Sequence, residues 1–250
     1  MNTRKPPPLS APVRALLSLL LPLLVAAFLA GLSGLPRTGA DPRARGVLVL
    51  GGIGLTSWLL ALFWYGLAGV GLRGRRPLYA GIGFATLGWL ILLAARFLLI
   101  PSAQLTNADA GRTFFYLLVF ESLCTQLWTF GILFCGVADW RGPLTGTLAA
   151  GVVFGLSGSL LFGESVLTGA LPLLFFLVWG FLYGLIRLRT GSLLGTVVIQ
   201  ALQSFTTWHI LVPRLPADPK YYSQFYLVSS FLLAILIWRL WPKRKEDYRV

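Results

Sequence analysis

Eight apolar runs near bilayer-spanning length, separated by short polar breaks, constrain this chain more than any other feature. They are Ala15–Leu35, Gly46–Leu72, Leu78–Ile100, Thr113–Ala138, Leu144–Gly163, Gly169–Ile186, Leu193–Val212 and Phe225–Trp241. About 20 apolar residues carry a helix across the hydrocarbon core. Backbone N–H and C=O groups in lipid must find partners within the segment, so each run is expected to be a helix. The breaks at Pro36–Arg45, Arg73–Pro77, Pro101–Arg112, Asp139–Pro143, Arg187–Ser192 and Pro213–Gln224 have loop chemistry, and none is long enough for a soluble domain. The expected fold class is all-α, a polytopic transmembrane bundle of about eight helices in one domain. Spans and loops together use nearly all 250 residues.

Composition agrees, because 56% hydrophobic and 12% charged residues leave too little polar side chain to coat a soluble globule. The net charge of +13 lies in short clusters between the apolar runs, with no continuous basic face, which argues against nucleic acid as a partner and for membrane lipid. Clusters at the N-terminus, Arg73–Arg76, Arg141, Arg187–Arg189 and the tail from Arg239 outweigh those on the alternate side, at Arg37, Arg43, Arg45, Arg112, Arg214 and Lys220. Both termini are therefore expected in the cytoplasm, with the protein in a bacterial-type cytoplasmic membrane. The first run is read as an uncleaved span; a signal peptide ending near Ala27–Ala30 is the alternative.

Cys124 and Cys135 lie in one predicted helix roughly 16 Å apart along its axis, too far to bridge. With one histidine and no cluster of Cys or His at ligand spacing, neither a metal nor a cofactor is expected. Glycines four apart, as at Gly151/Gly155 and Gly180/Gly184, allow helix backbones to approach closely.

Ionisable residues inside a bilayer cost on the order of 2.5 to 3.5 kcal/mol, so each needs an account. Arg96 lies near the end of its run, and its stem is expected to carry the guanidinium to the interface. Glu121 lies deep in the fourth run and is expected to face the bundle interior. α-helical spacing places Glu121, Cys124, Thr125 and Trp128 on one face, and Ser122 and Gln126 on an adjacent one. In the seventh run Gln200 and Ser204 are one turn apart beside Gln203, positions that suit a polar cavity or interhelical hydrogen bonds. His209, roughly 13 Å beyond Gln200 along the helix, is expected near the interface.

Three segments resemble the CPBP family, the CAAX prenyl protease and bacteriocin-processing group of glutamate-type intramembrane peptidases: FESLCTQLWTFGIL (Phe120–Leu133), GTLAAGVVFGLSGS (Gly146–Ser159) and GFLYGLIRLRTGSLLGTVVIQALQS (Gly180–Ser204). The resemblance covers residues 113–212, about two fifths of the chain, and implies a CPBP-like core there. Residues 1–112 are N-terminal transmembrane helices, and 213–250 the last helix with a basic tail. The family motifs, Glu-Glu-x-x-x-Arg, Phe-x-x-x-His and His-x-x-x-Asn, are each damaged. Glu121 matches the first glutamate, but Ser122 and Gln126 stand at the second glutamate and the arginine; Phe154 is followed by Gly158 in place of histidine; Gln200 and Ser204 stand at the third-motif histidine and asparagine. By motif position, Glu121, Gln200 and Ser204 are the candidate catalytic residues, and Ser122, Gln126, Phe154 and Gly158 line the expected binding cavity. The carboxylate and the arginine are lost together, which avoids stranding one buried charge.

The resemblance implies first a catalytically impaired homologue that binds a membrane segment or protein partner, such as a membrane-anchored peptide or an active protease. An active endopeptidase using Glu121, with Gln200 and Ser204 as oxyanion donors, is the second reading. A permease or channel subunit is the third.

Overall fold

Without water to bond exposed backbone, the apolar runs coil into helices that pack on one another. The computed structural model describes residues 9–33, 42–100, 103–105, 109–161, 170–213 and 219–249; of the expected loops, 36–41, 101–102, 106–108 and 214–218 lie outside the described residues. The long helices are α1 (Ala11–Ser33), α2 (Pro42–Leu60), α4 (Arg76–Leu99), α7 (Pro143–Leu161), α8 (Ala170–Thr190) and α10 (Pro219–Leu240). α2 continues through a π-wound turn, Ala61–Tyr65, into the short α3 (Gly66–Gly69). The fourth run is one continuous helical rod from α5 (Ala110–Tyr116) to α6 (Phe134–Arg141), joined by π-wound segments at Leu117–Cys124 and Leu127–Leu133. α9 (Leu194–Ser204) ends in a further π-wound segment, Phe205–Ile210.

The protein is an all-helical bundle, and among the described residues six helices are long and apolar enough to cross a membrane: 11–32, 46–69, 76–99, 110–141, 170–190 and 219–240. It is thus an integral, multi-pass type of protein in contact with lipid. The rod 110–141 is central, with 78% of its most apolar stretch buried inside the protein against 22% for α1. α7 and α8 pack along one side of it, α1 and α2 along another, and α9 along a third, with α4 packed against α9. The aromatic core between α7, α8 and α10 is built from Phe154, Phe175, Phe176, Trp179, Tyr183, Phe225 and Tyr226.

One end of the bundle gathers Arg14, the 71–76 turn, Asp139, the 190–193 turn and the C-terminal tail. Arg14 Nη1 pairs with Asp139 Oδ2 at 2.8 Å, Leu193 N donates to Gly71 O, and Arg249 N donates to Leu188 O. At the other end, β1 (Ala103–Leu105) pairs antiparallel with β2 (Leu211–Pro213), Gln104 opposite Val212. β1 lies inside a predicted loop, whereas β2 takes up the end of the seventh apolar run, and neither three-residue strand had a sequence signal.

Arg96, near the end of α4, is buried within the protein and turns towards β2. It is 1% exposed and donates through Nη2 to Leu211 O at 2.7 Å and, at a longer 3.4 Å, through Nε to Thr207 O. The physical reason is the break between helix and β2, which frees carbonyls that need donors.

Candidate functional site

The polar side chains of the rod and of α9 meet along one seam. Gln126 Nε2 donates to Gln200 Oε1 at 2.7 Å, and Gln126 Oε1 accepts from Thr196 Oγ1 at 2.5 Å. Ser204 Oγ donates to Glu121 Oε1 at 2.6 Å. Thr196, Gln200 and Ser204 succeed one another one helical turn apart on α9, so a single face of this helix supplies three partners. All five side chains are buried. Burying such groups unpaired costs about 1 to 3 kcal/mol each, and here each is paired with another of the set.

π winding sets which residues of the rod reach this seam. An i→i+5 hydrogen bond widens the turn and rotates successive side chains differently from an α-helix. The side chains expected on one face therefore part: Glu121 turns to α9, whereas a Cβ on Gly54 of α2 would lie 2.2 Å from Cys124 Sγ. Trp128 turns to α1 and donates through Nε1 to Ser18 O at 3.0 Å. Back-bonding side chains cover the carbonyls where the winding changes: Thr125 Oγ1 donates to Glu121 O, Thr129 Oγ1 to Thr125 O at 2.8 Å, and Cys124 Sγ to Val119 O at 3.1 Å.

Of the seven predicted site residues, Glu121, Gln126, Gln200 and Ser204 are joined directly. Ser122 is fully buried beside them, with a hydroxyl that has no partner among the described residues. Phe154 and Gly158, on α7, are packed among aromatic side chains rather than hydrogen-bonded into this set. The Phe154 ring packs at 5.4 Å from Phe130 and 5.7 Å from Tyr183, and a Cβ on Gly158 would lie 2.9 Å from Phe176 Cδ1. A histidine at 158 would need the buried Phe176 ring to move. His209 is exposed near the end of the segment following α9.

Thr196 went unread in the sequence, although its place one turn before Gln200 was the available signal. Arg187 was read as a loop charge. It lies within α8, fully buried, donating through Nη2 to Gly69 O at 3.0 Å and through Nε to Phe130 O at 3.3 Å, with its guanidinium 5.1 Å from the Phe134 ring centroid. Among the described residues there is no group of three or more His, Cys, Asp or Glu placed to hold a metal ion.

The seam's chemistry is that of a closed circuit. The Ser204 hydroxyl spends its one proton on Glu121, so it cannot in this arrangement donate to an oxyanion. Both ends of the Gln126 amide are engaged. Glu121 has Ser204 at one carboxyl oxygen.

No family model, curated protein or solved structure matches this chain.

Proposed function

We propose that this protein is a catalytically impaired CPBP-like membrane protein, in which the positions of a glutamate-type peptidase site serve as an interhelical hydrogen-bonded seam. Its function in this reading is to bind a membrane segment or protein partner, such as a membrane-anchored peptide or an active protease. The observation that carries the reading is the double pairing of Gln126 with Gln200 and of Glu121 with Ser204, which occupies the groups that hydrolysis would need free. Gly158 against Phe176 supports it, since that position supplies no base. In the same reading, α7 and the stretch from α9 through Ile210 complete a set of eight helices. The end that gathers the tail and its arginines faces the cytoplasm.

The competing reading, an active endopeptidase, rests on Glu121 alone. A peptidase assay on the purified protein in lipid, with a pool of membrane-anchored peptides, separates the two. No cleavage is expected from either the native protein or Glu121→Gln. Cleavage by the native protein that disappears in Glu121→Gln would overturn the proposal and make this a working glutamate protease.

A further inference from the structure

The tail beyond α10 folds back against the end of α8. Arg249 N reaches Leu188 O at 2.9 Å, and the Arg249 carbonyl lies 2.3 Å from where a Cβ on Gly191 would stand. Gly191 has φ of +71°, so a side chain there is excluded both by the backbone conformation and by the tail. Asp247 Oδ2 accepts the backbone N–H groups of Lys243 at 3.0 Å and Arg244 at 3.1 Å, a local clasp on the tail. The N–H groups of Arg244 and Lys243 hold the Asp247 carboxyl below its ordinary range.

A cleft of about 400 Å³ lies between this tail and the helix ends, with Arg189, Arg239, Lys243, Arg244 and Trp241 in its walls. Arg189 is fixed across it by donating through Nη1 to Leu240 O at 3.0 Å. Glu246 and Asp247 complete the lining, so four cations face two carboxylates, one of which is engaged in the clasp. From the cleft an exposed apolar stripe runs along one face of α10 through Trp238, Ile235, Phe231 and Val228. Trp238 is 72% exposed and Phe231 66%, as suits side chains against acyl chains.

We propose that this cleft binds the phosphate of an anionic phospholipid headgroup, with the lipid's acyl chains lying along the α10 stripe. A positive cleft that opens beside a lipid-facing surface offers both halves of such a lipid a partner, whereas a soluble phosphate would use only the first. Charge alone does not build this site: the tail's return to Leu188 sets Lys243 and Arg244 opposite Arg189.

The test is native mass spectrometry of the full chain in detergent, titrated with phosphatidylglycerol or with phosphatidylcholine of the same acyl chains. Phosphatidylglycerol is expected to bind about tenfold or more tightly, and the combined exposed substitutions Arg239→Gln, Lys243→Gln and Arg244→Gln are expected to abolish that preference. Arg75→Gln with Arg76→Gln, at the same end but outside the cleft, should change binding less than about twofold. Equal binding of the two lipids by the native protein would overturn the proposal. So would an equal loss in the Arg75/Arg76 variant, which would mean a diffuse surface field. Displacement of the lipid by soluble glycerol phosphate at matching concentration would overturn the lipid as occupant.

Discussion

Gly180→Val should lower stability by about 3 kcal/mol or more, or prevent folding, because it forces two backbones apart. A Cβ at Gly180 on α8 would lie 2.3 Å from the carbonyl oxygen of Gly151 on α7 and 3.1 Å from its carbonyl carbon. Neither atom can swing away as a side-chain tip can. Gly151 and Gly155 repeat the pattern from the other side, with a Cβ at Gly155 meeting the Leu177 backbone at 2.7 Å. Close approach of this kind lets dispersion contacts hold helices together in a solvent as apolar as the side chains themselves. The matched control is Gly83→Ala, where a Cβ meets nothing within 4 Å and the helix gains intrinsic propensity. That variant should be unchanged or gain up to about 1 kcal/mol. Equilibrium unfolding in mixed micelles reads both; a Gly180→Val protein as stable as native would refute the tight α7/α8 contact.

The second large effect is expected at Arg187. Its guanidinium joins α8 to Gly69 O at the end of α3 and to Phe130 O on the rod, and Gly71 passes so close that a Cβ there would lie 2.6 Å from Cζ. Arg187→Met keeps most of the length and removes all donors. The loss is expected to be about 3 kcal/mol, since hydrogen bonds from a charged group to buried acceptors contribute more than neutral ones. Arg187→Lys should fall between, because one ammonium cannot match the two-directional reach of the guanidinium. Stability of Arg187→Met within about 0.5 kcal/mol of native would show that these contacts contribute nothing measurable. The same unfolding experiment gives the answer.

Much of the bundle was legible because spans are written in composition. The run Leu78–Ile100 became α4 at Arg76–Leu99, and Gly169–Ile186 became α8 at Ala170–Thr190, shifts confined to the ends. The four-residue glycine spacing at 151/155 and 180/184 likewise marked a real close contact. Grouping Glu121 and Gln126 with Gln200 and Ser204 anticipated four residues of the seam. What failed was the geometry within the rod, because α-helical spacing assumes a turn that Leu117–Cys124 and Leu127–Leu133 do not keep. Arg187 was misplaced for another reason: a cation at the end of an apolar run looks interfacial, and only the distant Gly69 and Phe130 carbonyls bring it inside. Arg96 is likewise held by carbonyls at Thr207 and Leu211, more than 100 residues away in sequence. Non-local acceptors of this kind leave no mark on the residues that find them.

The seam itself is tested most directly by a double-mutant cycle on Gln126→Leu and Gln200→Leu, measured by reversible unfolding in lipid micelles. The two substitutions should not add: once one amide is gone the second loss should be smaller, by a coupling of about 0.6 to 1.7 kcal/mol. Additive losses, with coupling below about 0.3 kcal/mol, would mean that the two glutamines do not hold one another and that the motif positions are not an interhelical seam.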